Sequence, residues 1–391
     1  MLFDPDYTGA GIRFQTYAPF LKRNGINLVV FTGTTLKLQP THFVDMPRLR
    51  RRDDETVSIY RVRLPENIII KNMLFASKLV NFYRHQMCDI DLIHLLTVTP
   101  FGLPWLERLK RTGVPIVQSH TMTAPLSRNL VKASLQRKYQ QIRFSISDAI
   151  ITNTKTAELN LVQDYAINTP IHVIANGVNL ERFYPANPIE RRKLRQELGL
   201  PADSKIVLFV GALIKRKGID VLLDAWEIIV SQEKKALLVL VGPFPASTSE
   251  LGQAFTQLER MQSNRQLMRI GCVSNVEDYF RAADIFVFPS RREGFPNSLL
   301  EAFACGLPTI ITPFLGLGNE LDSERPHYII CDRTAESLSH SVLSLLHSPD
   351  QQKILGKAAR NWVEQNMSLN ETIEKYTQCY RSLVRATWLS E

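Results

Sequence analysis

Two glutamates, separated by seven residues, lie in a segment that could bind hydroxyl groups. The segment runs from Asp284 to Thr312 and reads as strand, loop, helix and strand. Glu293 falls in the loop RREGFP, and Glu301 lies about one and a half turns into the helical stretch NSLLEAFACG. Carboxylates accept hydrogen bonds from neutral hydroxyls, and a pair of them suits the vicinal diols of sugars and riboses. The alternative is that Glu293 is a loop charge and Glu301 a capping or solvated residue.

The start of the same helix could bind an anion. Pro296 suits the first helical position, so the amides of Asn297 and Ser298 would open the helix without intrahelical partners. A helix N-terminus that follows the carboxyl end of a parallel strand is a ready anion site. An anion flanked by polyols is what a nucleotide sugar offers.

A second segment supplies positive charge after a strand. Ile206 to Trp226 contains an apolar run, then Gly211, the basic residues Lys215-Arg216-Lys217, and Gly218 before a helical stretch. Basic side chains just past the carboxyl end of a strand could neutralise a diphosphate. A solvated charged face explains the cluster equally well.

The elements that must position these residues alternate along the chain. Short β-branched runs and amphipathic stretches follow one another, which predicts an α/β fold of two doubly wound parallel sheets. The strands predicted in the first half are 27–31, 56–63, 91–96, 115–119, 149–153 and 171–174, with helices at 12–24, 67–86, 101–111, 128–146 and 155–165. Those in the second half are 206–210, 237–241, 269–273, 284–289, 309–312 and 328–331, followed by helices at 334–347, 349–366 and 370–387.

Turn and breaker residues place the join between the two domains at 175–192. We assign residues 1–178 to the N-terminal domain and 179–367 to the C-terminal domain, and we expect the helix at 368–391 to pack back on the first. The first strand is predicted to be short or missing, because only Leu2 and Phe3 precede the polar turn at 4–11.

Composition limits the classes of partner. The chain has 391 residues, 45% hydrophobic and 22% charged, with a net charge of +9, which describes an ordinary globular protein. Residues 1–180 hold 22 basic and 13 acidic side chains, so the excess lies in the first half. A basic half can face nucleic acid, an anionic membrane or a phosphorylated substrate. No nucleic-acid reading motif accompanies the charge, so we expect no nucleic-acid partner.

Much of this charge lies on the helix predicted at 128–146 and in the stretch before it. The interpretations are a solvated face or a surface that meets an anionic membrane or a lipid-phosphate acceptor. The basic residues are Arg108, Lys110, Arg111, Arg128, Lys132, Arg137, Lys138 and Arg143.

The number of cysteines and the lengths of the apolar stretches indicate the cellular compartment. Five scattered cysteines without a Cys-x-x-Cys pair favour a reducing, cytoplasmic setting. No apolar stretch approaches the roughly 18 to 20 residues that span a bilayer, and the N-terminus has no signal-peptide pattern. We therefore expect a soluble or peripheral protein, placed in the cytoplasm or at the inner face of the membrane.

Taken together, the motifs resemble the retaining family 4 glycosyltransferases. Gly-Ala-Leu-x-x-x-Lys-Gly at 211–218 and Glu-Gly-Phe-Pro-x-x-x-x-Glu-Ala at 293–302 match that family's signature, and Asn-Gly-Val-Asn at 176–179 is similar to its entry into the second domain. The resemblance implies the GT-B fold, in which two Rossmann-like domains face a cleft.

The resemblance also implies roles for the donor-binding residues. Glu293 would contact the donor hexose, and the backbone from Gly294 to Ser298, which includes Phe295 and Asn297, would bind sugar and diphosphate. Glu301 would hold the ribose hydroxyls. Lys217 would bind the diphosphate, with Arg216 supplying the charge that relatives place where this chain has Ala212.

Other positions match the family less closely. Val273 and Ser274 resemble the loop that contacts the base. His120 resembles a histidine near the transferring sugar and is our catalytic candidate beside Glu293, whereas His94 is interpreted as structural. Gly9 and Gly11 resemble a glycine loop that reaches the donor phosphate or the acceptor.

The activity implied by the resemblance is transfer of a hexose with retention. The donor would be a nucleoside diphosphate sugar and the acceptor a saccharide or lipid-linked molecule, in cell-envelope or extracellular polysaccharide synthesis. We expect no metal and no other cofactor. The alternative is a degenerate glycosyltransferase-like protein that binds nucleotides without transfer, favoured only by Ala212 and the short N-terminus.

A nicotinamide-dependent dehydrogenase is the rival enzyme class, because its fold is similar. It would need Gly-x-Gly-x-x-Gly between the first strand and helix, but the chain has Phe14 where the third glycine would stand. The sequence therefore disfavours this class.

Overall fold

A computed structural model of the chain describes residues 9–35, 51–54, 57–65, 67–86, 89–96, 98, 102–121, 126–244, 253–314 and 327–388. Contacts divide the chain into two compact units. The first comprises Met1–Ala175 and Asn370–Glu391, and the second Asn176–Leu369. Each unit is α/β, as the alternating pattern predicts.

Elements are numbered in chain order. The first unit contains α1 (Gly9–Arg23), β1 (Leu28–Thr35), β2 (Arg51–Asp54), β3 (Val57–Leu64), α2 (Ile68–Gln86), β4 (Ile93–Leu95), α3 (Leu103–Lys110), β5 (Ile116–His120), α4 (Leu130–Ser145), β6 (Ala149–Thr152), α5 (Lys155–Leu159) and β7 (Ile171–Val173). The second contains α6 (Pro188–Glu197), β8 (Lys205–Val210), α7 (Ile219–Gln232), β9 (Ala236–Val241), α8 (Gln253–Ser263), β10 (Leu267–Gly271), α9 (Val276–Ala282), β11 (Ile285–Phe288), α10 (Asn297–Ala304), β12 (Thr309–Ile311), β13 (Ile329–Ile330), α11 (Ala335–Leu346) and α12 (Pro349–Asn366). Helix α13 (Leu369–Trp388) ends the described chain.

The second unit has one six-stranded sheet in the order β10-β9-β8-β11-β12-β13, with every pair parallel. This is the doubly wound order, in which the winding direction reverses between two central strands. Here the reversal falls between β8 and β11. Ligands of such sheets bind outside the carboxyl ends of the strands at that point.

Helix α7 shows why this unit folds as it does. Its apolar residues recur every three or four positions, so one face packs on the sheet. Trp226 is fully buried there among residues such as Val207 and Phe209, and its indole nitrogen donates to the Gln266 carbonyl at 2.9 Å. The large ring is therefore buried without leaving its N–H unsatisfied.

The strands of the first unit differ from the single sheet that the alternation predicts. The described residues form a three-stranded sheet, β1-β3-β2, and a four-stranded sheet, β4-β5-β6-β7. Strand β2, of sequence RRDD, pairs antiparallel with β3 and was not predicted, because four charged residues carry no apolar signal.

The N-terminal glycines lie in a helix and not in a loop. Helix α1 begins at Gly9, so Gly9 and Gly11 both belong to its first turns, which corrects their assignment to a glycine loop. The helix starts earlier than its apolar pattern indicates, because glycine lacks a side chain that contributes to such a pattern. The predicted short or missing first strand falls on residues outside the described ranges.

Helix α13 packs against residues of the first unit. Its Tyr380 hydroxyl lies 2.7 Å from His94 Nδ1, and Arg381 donates to the Asn24 carbonyl at 2.7 Å. Tyr376 contacts the ring of Phe14 edge to face. Within the described ranges, no helix is both long and apolar enough to cross a membrane.

Candidate active site

Two loops meet at the carboxyl ends of β8 and β11. The turn after β8 contains a short 3₁₀ segment at Lys215–Lys217, which ends at Gly218 with φ +78°. A Cβ on Gly218 would lie 2.0 Å from the Pro289 carbonyl oxygen, so only glycine allows this approach. The Arg291 amide also donates to the Arg216 carbonyl at 2.9 Å. The basic turn and the glutamate loop are thus held side by side.

The contact brings Lys217, Arg216 and Glu293 together. One oxygen of the buried Glu293 carboxylate, Oε1, lies 2.7 Å from Lys217 Nζ and 3.3 Å from an Arg216 guanidinium nitrogen. The Ser290 hydroxyl donates to the same oxygen at 2.5 Å. A buried carboxylate is tolerated when it is paired and hydrogen-bonded in this way. Ser290 was not assigned a role from the sequence, because a lone serine gives no pattern.

The first turn of α10 lies beside this cluster and has no side-chain cap. Pro296 occupies the N-cap position with extended backbone. The sequence predicts it as the first helical residue, so the prediction is off by one position. The helix therefore begins at Asn297. Its first amides, those of Asn297 and Ser298, have no intrahelical acceptor by geometry, as the sequence predicts.

Asn176 fixes the approach to this helix. Its side-chain amide donates to the Phe295 carbonyl at 3.1 Å and to Asn297 Oδ1 at 2.8 Å. Asn176 is buried, so these bonds replace water contacts that the amide and its acceptors would otherwise need. The Asn-Gly-Val-Asn motif therefore positions the loop that carries Gly294 and Phe295.

Glu301 lies in a separate part of the site with Arg182 and Glu277. Burial raises the pKa of Glu301 to about 7; Arg182 opposes this shift and Glu277 adds to it. Arg182 bonds to Glu277 Oε2 and to the Ser274 carbonyl, both at 2.7 Å. Arg182 thus lies close to both the Val273–Ser274 loop and Glu301. Arg182 has no role in the sequence motifs.

His120 lies in the first unit, at the end of β5. The side chain is buried, its Nε2 has no hydrogen-bond partner among the described residues, and its ring contacts Phe144 edge to face. Burial and the nearby Arg143 lower the pKa of His120 to about 4, and the Asn160 side chain opposes this shift, so the imidazole is neutral at pH 7. A buried, unsatisfied imidazole nitrogen is an atom that a substrate hydroxyl could satisfy.

His94 has a different environment from His120. Its Nδ1 contacts the Tyr380 hydroxyl, and its Nε2 lies 2.9 Å from the Ser119 hydroxyl. Burial lowers the pKa of His94 to about 3, so it is neutral as well. With both ring nitrogens bonded inside the protein, His94 packs as a structural residue.

Comparison with known proteins decides the family. Residues 190–362 match the family model described as glycosyl transferases group 1, and residues 7–182 match glycosyltransferase family 4. A D-inositol 3-phosphate glycosyltransferase of Rhodococcus opacus is 30% identical over 312 residues, covering 76% of this chain and 68% of that protein. The chain belongs to glycosyltransferase family 4.

Other relatives of this glycosyltransferase cover more of it. One of Corynebacterium jeikeium with the same name is 27% identical over 90% of this chain and 87% of that protein. The prediction of an enzyme of the hexosyltransferase class is thereby confirmed.

Solved structures confirm the GT-B fold of this glycosyltransferase. Sucrose-phosphate synthase from Thermosynechococcus elongatus has a TM-score of 0.74 at 21% identity, covering 97% of this chain and 94% of that one. The Anabaena protein Alr3699/HepE, solved with UDP and glucose, has a TM-score of 0.71 at 15% identity, covering 97% and 98%.

The structure of this glycosyltransferase brings together some predicted site residues and not others. Lys217, Arg216, Glu293 and the start of α10 form one cluster, which we call the donor cluster. Glu301 and the Val273–Ser274 loop form a neighbouring environment in the same unit. His120, Gly9 and Gly11 belong to the first unit, so the contacts within the second unit do not include them.

Proposed function

We propose that this glycosyltransferase moves a hexose from a nucleoside diphosphate sugar to a saccharide or lipid-linked acceptor, with retention at the anomeric carbon. The donor cluster is the observation that carries the proposal. Two cations, a buried carboxylate and an uncapped helix N-terminus meet where a doubly wound sheet binds its ligands. A diphosphate linked to a polyol matches that set of groups.

The leaving diphosphate is the part of the donor that gains charge. Breaking its bond to the sugar builds negative charge, which Lys217, Arg216 and the amides of Asn297 and Ser298 would stabilise as it develops. This stabilisation comes from groups of the chain itself, so the reaction as we propose it needs no metal and no further cofactor.

The pairing of Lys217 with Glu293 has a consequence for binding. The Glu293 carboxylate, 2.7 Å from Lys217 Nζ, already occupies one of the three N–H donors of this ammonium and competes with a diphosphate for its charge. We propose that the phosphates of the nucleotide sugar bind Lys217 and Arg216. The hydroxyls of its sugar would then donate hydrogen bonds to Glu293 in place of these two cations. Gly294 and Phe295 would offer backbone groups to the same sugar and diphosphate.

The remaining donor contacts follow from the Glu301 environment. Glu301 would accept hydrogen bonds from the ribose hydroxyls, and the backbone of Val273 and Ser274 would meet the base. The Ser274 carbonyl accepts a hydrogen bond from Arg182, so the base would be met by the second lone pair of this carbonyl or by the Ser274 amide. UDP is our first choice of nucleotide, because the Anabaena protein was solved with it.

The first domain would serve the acceptor. We propose His120 as the residue beside the transferring sugar, and Gly9 and Gly11, in the first turns of α1, as backbone contacts to donor phosphate or acceptor. A front-face route, in which the leaving phosphate takes the acceptor proton, would explain retention without a side-chain nucleophile. We keep 1–178 with 368–391 as the acceptor-side domain and 179–367 as the donor domain.

The acceptor and the pathway are proposed in outline. A basic N-terminal half favours an acceptor with phosphate groups or a contact with an anionic membrane. We place the enzyme in the cytoplasm, at the inner face of the membrane, in cell-envelope or extracellular polysaccharide synthesis. The names of the relatives add phosphorylated polyols, such as inositol 3-phosphate, to the acceptors worth testing.

A binding panel tests the proposal. UDP, GDP and ADP should be titrated in a thermal unfolding assay, where a hundredfold excess over the dissociation constant stabilises by about 2.7 kcal/mol. We expect one of the three to raise the melting temperature, and no response to any of them would contradict the donor site. Binding without release of nucleotide from any sugar donor would instead favour the degenerate binding protein.

Retention has its own test. The anomeric configuration of donor and product can be compared by proton coupling constants in NMR spectra. The proposal expects the same configuration in both, and an inverted product would contradict it.

A further inference from the structure

Helix α4 exposes large aliphatic side chains in the first unit. Leu130, Val131 and Leu135 are 86%, 70% and 63% exposed, and Ile142 is exposed as well. Val131, Leu135 and Ile142 recur at helical spacing and therefore lie on one face. A helix that only faced water would carry polar residues at these positions.

The same face carries positive charge and no negative charge. Helix α4 contains no Asp or Glu from Leu130 to Ser145. Lys138 lies one turn after Leu135 and two turns after Val131, so it falls within the aliphatic stripe, and Arg128 and Lys132 flank it. These three cations are exposed, and none forms an ion pair with another described residue. We call this set the α4 surface: Arg128, Leu130, Val131, Lys132, Leu135, Lys138 and Ile142.

The other basic residues of α4 bond to the protein. Arg137 donates to the Asp164 carbonyl at 2.8 Å. Arg143 donates to Gln118 and lies over the ring of Phe144. The polar side chains of the α4 surface, on this helix and at Arg128 just before it, therefore form no hydrogen bond or ion pair with the other described residues.

The exposed aliphatic residues of the second unit are arranged differently. Those in the described ranges are Ile189 on α6, Ile330 in β13 and Ile354 on α12, each on its own element. Single exposed apolar residues are normal and need no partner, whereas a contiguous group marks an interaction surface.

From these contacts we infer that the α4 surface docks on a membrane with anionic headgroups. Aliphatic side chains of an interfacial helix enter the boundary between headgroups and acyl chains, while lysine and arginine stems extend to the phosphates. Each basic residue near the surface also strengthens binding to anionic lipid. A protein partner fits less well, because interface centres are depleted in charge and enriched in aromatic residues, and Lys138 lies inside the stripe.

Docking by the α4 surface rests on the membrane contact proposed above and assigns it to named residues, but it does not depend on the donor cluster. Membrane docking concerns a surface of the first unit, whereas donor binding concerns residues of the second. Loss of vesicle binding with intact nucleotide binding would therefore separate the two proposals.

Vesicle co-sedimentation tests the inference with the full chain. One set of vesicles is phosphatidylcholine alone, and the other contains phosphatidylglycerol as well. We expect partitioning to be at least about tenfold stronger on the anionic vesicles and to weaken with added salt. Two triple variants, Leu130→Gln/Val131→Gln/Leu135→Gln and Arg128→Gln/Lys132→Gln/Lys138→Gln, should each lower it about tenfold or more.

Matched controls come from the second unit. Ile189→Gln/Ile354→Gln removes equally exposed isoleucines, and Lys353→Gln/Lys357→Gln removes exposed lysines of α12. Both should bind vesicles like the unmodified chain. Thermal unfolding of every variant checks that the substituted chains fold.

Three outcomes would overturn the inference. The first is equal binding to neutral and anionic vesicles, and the second is unchanged binding by both triple variants. The third is a chain that binds no vesicles but self-associates, as measured by light scattering, and whose self-association the aliphatic triple variant abolishes. That result would assign the α4 surface to a second copy of the chain.

Discussion

At the scale of single residues, the oxygen Oε1 of Glu293 is the most densely bonded atom of the donor cluster. It is within 3.3 Å of an ammonium, a guanidinium and a hydroxyl. Removing Lys217 would leave the buried Glu293 carboxylate with fewer positive partners. It would also remove the ammonium charge that we propose binds the diphosphate. Both effects act on the step in which charge develops.

We predict that Lys217→Ala and Glu293→Ala each lower transfer by about a hundredfold or more, which corresponds to the loss of a charged contact in the transition state. Turnover of sugar donors should be measured beside far-ultraviolet circular dichroism, which should be unchanged. Lys215→Ala is the matched control, because Lys215 is an exposed lysine of the same 3₁₀ segment without a contact to Glu293 among the described residues. Turnover near that of the control in either variant would contradict the site.

A second prediction concerns the pKa of Glu301. Its value of about 7 in the folded protein lies above the usual 4.5, so folding favours the protonated carboxyl. The stabilisation is therefore present at low pH and is lost as pH rises from about 4.5 through 7. Arg182 and Glu277 are the charged groups that face it.

We predict that Glu301→Gln removes this dependence. Relative to the glutamine variant, the wild-type free energy of unfolding should fall by roughly 2 kcal/mol between pH 5 and pH 8. Urea titrations at the two pH values measure it. A difference between the two proteins that stays constant with pH would contradict the raised pKa.

At the scale of elements, the turn after β8 decides whether the donor cluster forms. Gly218 allows the basic segment to approach Pro289, and no other residue could do so without moving a backbone. This is a geometric requirement on one position, and it connects two strands that are distant in sequence.

We predict that Gly218→Ala destabilises the protein by about 3 kcal/mol or more and abolishes donor binding, because of the clash and the positive φ. Gly199→Ala is the control: Gly199 also has a positive φ, of +65°, but a Cβ there would meet nothing within 4 Å. That variant should cost only about 1 kcal/mol and should bind donor normally. Chemical denaturation and nucleotide titration compare them, and equal losses in both variants would contradict the account.

Sequence patterns predict elements well where apolar residues repeat. The six strands of the second unit and the three final helices were predicted because apolar runs mark the strands and periodic apolar faces mark the helices. Strand β2 was missed because charged residues held by a neighbouring strand carry no such signal. The start of α1 at Gly9 was misjudged by three residues and the N-cap position of Pro296 by one, since helix ends depend on tertiary contacts.

The candidate site was predictable only in part. Glu293, Lys217 and Glu301 stand in motifs with fixed spacing, so the sequence alone could indicate them as candidates. Ser290 was not assigned a role because a lone serine gives no pattern, and Asn176 and Arg182 were not because each acts through contacts with residues far along the chain. Asn176, for example, bonds to residues more than a hundred positions further along the chain.

At the scale of the whole molecule, charge and exposed apolar area concentrate in the same part of the chain. The first 180 residues carry the whole net charge of +9, and α4 in that part exposes its aliphatic stripe. The second unit has scattered exposed isoleucines and paired charges around its sheet. We propose different partners for the two parts, a nucleotide sugar for the second unit and an acceptor at a charged surface for the first.

The central claim is that the donor cluster supports sugar transfer from a nucleoside diphosphate sugar. The most direct measurement is release of nucleoside diphosphate from a panel of sugar donors, with and without saccharide, lipid-linked and phosphorylated polyol acceptors. We expect one donor to release its nucleotide about a hundredfold faster with the wild-type enzyme than with Lys217→Ala, and faster still when its acceptor is present. Release that never exceeds the rate of Lys217→Ala, for any donor in the panel, would contradict the account.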